Sequence, residues 1–327
     1  FFGDVGRCDL AEKAAYLPQE ELAGLLYDSL REKIMPLPDD ITVYPGHGAG
    51  GACGKNMMKE TVDTLGNQKE VNYALRQDMT RDVFIAEVTE GLLPPPAYFP
   101  LNVKLNKEGY ANIDTILSRG TQPLSPEKFE NLANIEGAVV LDVRHQDEFV
   151  KEHIPGSIFI GLQGDFAPWV GTMLVDVIQP ILLVVPEGKE EEAVTRLSRV
   201  GFDNTLGYLK GGIEEWKKNG KQLDSVESIS AAEFSDSYKP DSHIVYDVRK
   251  ESEYKAGHVP EAKLTPLDFI NNFMDEFKEE TKKAYVHCAG GYRSVIASSI
   301  LKSRGIHNIA NIEGGYGAIK KVRQESV

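Results

Sequence analysis

Short apolar runs alternate with polar, amphipathic stretches along most of the chain, and from about residue 120 the alternation becomes regular. "AVVLDV" (138–143) and "HIVYDV" (243–248) read as strands followed by polar helices. "ILLVV" (181–185) and "KAYVHC" (283–288) read as second strands leading into helices rich in Ala, Val, Ile and Leu. Ser125 and Ser230 each open an amphipathic segment at an N-cap position. Short strands alternating with helices predict parallel sheets covered on both faces, an α/β class.

The pattern is written twice. "LDVRHQDEFVKEHIPGS" (141–157) and "YDVRKESEYKAGHVPEA" (246–262) match at a shift of 105. Ser125 with Ser230 and Phe129 with Phe234 keep that shift, whereas "GFDN" with "GIHN" and "KGG" with "EGG" keep it within two residues. Two homologous units therefore fill residues 119–223 and 224–327. Residues 1–118 differ: an amphipathic helix in "LPQEELAGLLYDSLREKIMPL", a strand running into the glycine-rich "ITVYPGHGAGGACGK", and a helix in "TRDVFIAEVTEGL" ended by "PPP" at 94–96. A linker is expected at "LSRGTQP", 117–123.

Composition narrows the function classes. The chain has 327 residues and a formal net charge of −14, which argues against nucleic-acid binding, since that needs a basic face. Its three cysteines, Cys8, Cys53 and Cys288, form neither a CxxC pair nor a zinc framework, so a reducing, cytoplasmic setting is expected. The longest apolar run, "GTMLVDVIQPILLVVP", is interrupted by Asp176, Gln179 and Pro180 and makes a poor membrane span. The opening "FFGD" has no initiator Met and no signal-peptide pattern; a fragment of a longer protein is expected.

The chemistry concentrates in "VHCAGGYRS" (286–294). Cys288 closes a strand, and the helix "SVIASSILKSRG" begins a few residues on. Backbone N–H groups at a helix N-terminus, the positive end of its dipole, and Arg293 all favour a nucleophilic thiolate and an anion beside it. Gly290 and Gly291 permit the tight backbone path. An inert buried cysteine would leave the glycines and the arginine without a role. In the first unit the matching stretch is "LLVVPEGKEEEAVTRL", with no cysteine and a run of acids, so that unit is expected to be inactive and to pack against its neighbours. The constant Asp-Val-Arg is expected to fix a loop, with Arg144 and Arg249 placed to pair with the Glu four residues on. His153 and His258 recur in both units and are expected to be structural.

Cys-x-x-Gly-x-Arg-Ser, with "DVR…E…H-[IV]-P" and "GG" in both units, resembles the rhodanese-type sulfurtransferases over about 120–327. The resemblance implies a Cys288 persulfide cradled by Ala289, Gly290, Gly291, Tyr292, Arg293 and Ser294, with Arg293 holding an anionic donor and an acceptor thiol taking the sulfur. The six-residue loop from Cys288 to Arg293 has the family length associated with sulfur rather than phosphate. "GDVGRCDL", "VYPGHGAGGACGK" and "LLPPPAYFP" are similar to the C-terminal part of a metallo-β-lactamase (αββα) fold of the kind fused to rhodanese domains, related to persulfide dioxygenases and glyoxalase II enzymes. The family's His-x-His-x-Asp-His motif is absent; only His47 matches a metal-site position, as a remnant, and Arg7 is the candidate for binding a thiol substrate. The resemblance thus implies no cofactor in this chain, and iron or zinc once an upstream segment completes the site.

The leading expectation is sulfane-sulfur transfer at Cys288 in a protein of the persulfide dioxygenase–rhodanese type. Its small-molecule partners would be persulfides, thiosulfate or thiols such as glutathione, with neither nucleic acid nor membrane engaged. The alternatives are a metal-dependent hydrolase of the glyoxalase II kind and a non-catalytic sulfur-carrying interaction module. An incomplete metallo domain would leave sheet edges exposed, so a homo-oligomer is expected.

Overall fold

The structure is a computed structural model describing residues 2–3, 18–46, 60–90, 98–174 and 176–325. It divides into two compact units, Phe1–Lys107 and Glu108–Val327.

In the first unit, α1 (Gln19–Ser29) continues into a π-helical turn over Leu30–Ile34. The two-residue strands β1 (Thr42–Val43) and β2 (Asp63–Thr64) pair antiparallel. Helices α2 (Leu65–Val71), α3 (Arg81–Thr89) and α4 (Phe99–Glu108) follow. Thr64 and Thr80 cap α2 and α3 with their hydroxyls. Ala23, Leu30, Val43, Leu65, Leu75, Phe84 and Val88 form one buried cluster. Arg31 ties the layers together: its guanidinium donates to the carbonyls of Ala74 (3.3 Å) and Arg76 (2.7 Å) and lies over the Tyr27 ring.

The second unit holds both repeats. It begins with α5 (Ile113–Gly120), capped by Asn112. The stretch 117–123, expected to be a linker, is instead the end of this helix and the start of an edge strand. Gly120 lets the helix come so close to Val194 that a Cβ would stand 2.8 Å from its methyls.

The first repeat runs β3 (Pro123–Leu124), α6 (Pro126–Ile135), β4 (Val139–Asp142), α7 (Gln146–Lys151), β5 (Ile158–Phe159), α8 (Phe166–Met173), β6 (Ile181–Val184), α9 (Glu190–Ser198), β7 (Thr205–Leu209) and α10 (Gly212–Lys218). The second runs β8 (Ser228–Ile229), α11 (Ala231–Ser237), β9 (His243–Asp247), α12 (Glu251–Lys255), β10 (Lys263–Leu264), α13 (Met274–Glu279), β11 (Lys283–His287), α14 (Tyr292–Ser303), β12 (Ile309–Ile312) and α15 (Gly315–Glu325). The sheet orders are β3-β7-β6-β4-β5 and β8-β12-β11-β9-β10, the same order twice, and every pairing is parallel. The central strand β6 is an apolar run, and β11 is buried from Ala284 to His287, as expected of strands covered on both faces. Ser125 and Ser230 cap α6 and α11 through their hydroxyls.

Each repeat carries its own core. Leu124, Phe129, Leu182, Val184 and Trp216 fill the first, and Phe234, Val245, Tyr285, Ile312 and Ile319 the second. Burying each such side chain contributes roughly 1.5–3 kcal/mol. The Asp-Val-Arg segments fix loops, but not with the expected partner. Arg144 grips the fully buried Asp142 through its Nε and one terminal nitrogen and donates to Glu152 O at 2.8 Å; Arg249 does the same with Asp247 and Gly257 O. A buried carboxylate needs a charged partner more than an exposed glutamate does. His153 is buried and stacked on Phe149, its Nδ1 2.8 Å from Phe149 O, and burial pushes its pKa down. His258 stacks on Tyr254 in the same way.

The repeats are strapped to each other. His153 and Asp224 exchange backbone hydrogen bonds at 2.9 Å, and Lys302 of α14 reaches Asp224 at 3.0 Å. The backbone N–H of Phe159 donates to Ser299 Oγ of α14 at 3.0 Å.

Candidate active site

Open parallel sheets present their sites at the carboxyl ends of the strands. β11 ends at His287, and the chain turns at once into the loop 288–291 and then into α14, a helix of twelve residues. Gly291 is the N-cap of α14, at φ +104°, where a side chain would be strained. Its N–H donates to Cys288 Sγ at 3.1 Å. The first turn of α14 carries no acidic residue of its own, so no side chain of that turn offsets the positive end of its dipole. Cys288 is 1% exposed, so the cradle excludes most solvent.

Beneath the sulfur lies a buried polar chain. Ser294 Oγ is 3.6 Å from Cys288 Sγ, 3.0 Å from Gly291 O and 2.7 Å from Asn311 Oδ1. Asn311 Nδ2 in turn donates to Ser228 Oγ at 3.2 Å. The single hydroxyl proton of Ser294 can serve one of these acceptors at a time, so rotation would bring it to a charged sulfur.

Arg293 has a carboxylate partner. Its two terminal nitrogens donate to Glu253 at 2.7 and 2.8 Å, a bidentate pair. Glu253 also accepts the Lys250 N–H at 3.1 Å. Arg293 holds the Glu253 carboxyl down to about 2. Glu253, and next the charge of Cys288, raises the Arg293 guanidinium in return, against the lowering effect of burial. The guanidinium expected to face an anionic donor is thus already paired with a carboxylate.

The loop is closed from behind by the second "GG". Gly315, at φ +56°, packs so tightly that a Cβ would stand 2.4 Å from Cys288 O. The N–H groups of Tyr316 and Gly317 then donate to Cys288 O (2.7 Å) and Ala289 O (3.1 Å). In front, Tyr292 reaches into the first repeat and donates to Gly161 O at 2.9 Å.

Strand register locates the matching position in the first repeat. Asp142 pairs with Val184 across β4 and β6, as Asp247 pairs with His287 across β9 and β11. Val184 therefore stands at His287, and the buried Val185 stands at Cys288. Three glutamates, Glu190, Glu191 and Glu192, occupy the first turn of α9, where α14 has none. That end of the helix repels anions.

Of the residues singled out in the sequence, the structure brings Cys288, Ala289, Gly290, Gly291, Tyr292, Arg293 and Ser294 into one loop and helix start. His47 and Arg7, like Cys8 and Cys53, lie outside the described residues. Among the described residues, no three His, Cys, Asp or Glu side chains gather as a metal site would need. No helix among them is long and apolar enough to cross a membrane. Sequence reasoning missed Glu253, Asn311 and the fit of Gly315. Glu253 was visible as the match of Glu148 and as the expected partner of Arg249, whereas in the structure it binds Arg293.

Comparison with known proteins places these features. The rhodanese-like domain family matches residues 125–219 and again 230–321. A tRNA uridine(34) hydroxylase of Staphylococcus carnosus is 29% identical over 118 residues, 35% of this chain and 35% of that protein, so the chain spans about a third of that relative's length. A solved rhodanese-like domain protein from Staphylococcus aureus is 34% identical over 29% of this chain and 91% of its own, with a TM-score of 0.27. A metallo-beta-lactamase structure from Staphylococcus aureus subsp. aureus COL is 29% identical over 63% of this chain and 57% of its own, with a TM-score of 0.49. With the family pattern matched twice across more than half of its length, the chain belongs to the rhodanese-like domain family.

Proposed function

We propose that Cys288 carries sulfane sulfur between small thiols and persulfides. The observation that supports this most is the Sγ seated at the end of β11, receiving the Gly291 N–H at the start of α14. In the first half-reaction the thiolate attacks the outer sulfur of a persulfide or thiosulfate. The donor's S–S bond breaks, an Sγ–S bond forms, and the donor leaves as thiolate or sulfite with the bonding pair. In the second, an acceptor thiolate such as glutathione attacks the outer sulfur, and the electron pair of the broken Sγ–S bond returns to Sγ. No external oxidant or reductant is needed.

The Gly291 N–H and the rotatable Ser294 hydroxyl are placed to stabilise charge on sulfur. Arg293, balanced by Glu253, suits a singly charged persulfide better than a dianion. The net charge of −14 supports small thiols over RNA as partners, although several relatives are named for a tRNA reaction. The motifs of residues 1–118 support a protein of the persulfide dioxygenase–rhodanese type, working in persulfide metabolism, in which a metallo domain handles the same persulfides. The described residues do not assemble a metal site, so no step here runs through a metal.

The test is turnover with glutathione persulfide or thiosulfate as donor and a thiol as acceptor. Cys288→Ser should abolish it, and retained turnover would refute the assignment.

A further inference from the structure

The inactive repeat touches the active loop at several points. Tyr292, the first residue of α14, leaves its own repeat and seats its ring edge-on against Phe159, with centroids 5.8 Å apart. The ring lies where a Cβ on Gly164 would stand 2.5 Å from Tyr292 Cζ, so only glycine leaves room for it. The loop that forms this seat is pinned from behind. Arg196 of α9 donates to Leu162 O at 2.6 Å and to Gly164 O at 3.2 Å. α9 is the counterpart of α14, and in place of an anion cradle it holds up the wall of its neighbour's site. Burial in this seat pushes the Tyr292 hydroxyl pKa well above its ordinary value, so it stays a neutral donor.

A second element of the first repeat also approaches the loop. Gln146 opens α7 and bonds no part of the loop, yet a Cβ on Gly291 would lie 3.7 Å from its Nε2. Gly291 is the residue whose N–H holds Cys288 Sγ. The half-buried Gln146 amide therefore stands beside the loop residue that holds the sulfur, next to Gly314 N of the second repeat, which lies 3.6 Å from the same point.

We infer that the first repeat is a working part of the Cys288 site: it anchors the loop through Tyr292 and meets the incoming thiol acceptor with the amide of Gln146. This rests on the sulfur-transfer reading of Cys288. Gln146 is then a specificity-determining residue and Tyr292 a positioning one. The amide can both donate and accept, which suits the peptide or carboxylate groups of a thiol such as glutathione.

The experiment separates the two half-reactions in the full chain. Loading is read as the rate and extent of sulfur bound per chain after one addition of thiosulfate, which carries none of glutathione's peptide groups, and transfer as the rate against glutathione concentration. Gln146→Ala should load as wild type does and raise the KM for glutathione roughly fivefold, the worth of one hydrogen bond. Gly164→Ala, which displaces Tyr292, should slow loading itself. An unchanged melting temperature of Gln146→Ala shows that the variant is folded. A wild-type KM for glutathione in Gln146→Ala overturns the inference, and so does loss of loading in that variant, because an acceptor contact leaves the first half-reaction alone. If the wild type takes up no sulfur, the reading of Cys288 itself falls, and this inference falls with it.

Discussion

Gly315 and Gly212 occupy matching positions in the two repeats and share one backbone conformation, with φ +56° and +59°. Their surroundings differ. A Cβ on Gly315 would stand 2.4 Å from Cys288 O and 2.8 Å from Ala289 C, whereas a Cβ on Gly212 would meet nothing within 4 Å. Alanine at either site pays for left-handed backbone, about 1–2 kcal/mol. At Gly315 the contact is with backbone, which cannot rotate away. The turn and the Cys288 loop must separate, at a further cost of roughly 1–3 kcal/mol. The bonds from Tyr316 N to Cys288 O and from Gly317 N to Ala289 O are the first to be lost. Gly315→Ala should therefore destabilise its repeat by about 1–3 kcal/mol more than Gly212→Ala destabilises the other. Native-state hydrogen exchange, read peptide by peptide in each repeat, measures the two separately. Gly315→Ala should also load sulfur far more slowly, while Gly212→Ala should load nearly as wild type. Equal destabilisation, or wild-type loading by Gly315→Ala, would refute the idea that the second "GG" is there to brace the cysteine loop.

Three further outcomes are expected. Glu253 has its carboxyl pulled from 4.5 to about 2, so the stability it lends is complete above pH 4.5 and is lost as pH falls toward 2; denaturant midpoints of Glu253→Gln across that window should fall less steeply than those of the wild type, and parallel curves would deny the pairing with Arg293. Tyr292→Phe removes one hydrogen bond between the repeats and should cost about 1 kcal/mol, seen as a lower denaturant midpoint, with no loss if the Gly161 contact is idle. The chain should purify with far less than one equivalent of iron or zinc; a stoichiometric metal by elemental analysis would show that donors outside the described residues assemble a site.

Much of this was legible in the sequence because it is local. The N-caps at Ser125 and Ser230, the recurring "DVR" and "H-[IV]-P" turns and the apolar central strands repeat at a nearly fixed shift, and each acts within a few residues of itself. The cysteine loop was legible for the same reason. What escaped depends on contacts distant in the chain. Glu253 and Arg293 are 40 positions apart, and Tyr292 and Gly161 are 131 apart, with no periodicity linking either pair. Matching by residue type reached only the shared part: Glu148 and Glu253 both accept a backbone N–H at a helix start, from His145 and Lys250, and Glu253 also binds an arginine beside the sulfur. The counterpart of Cys288 needed the strand register, which identifies Val185.

The central claim is that sulfur resides on Cys288. The most direct measurement is one addition of glutathione persulfide to the full chain, followed by peptide mass mapping under non-reducing conditions. The account predicts one extra sulfur on the peptide holding Cys288, lost again when glutathione is added. Sulfur on the peptides of Cys8 or Cys53 instead, or on none of the three, would contradict it.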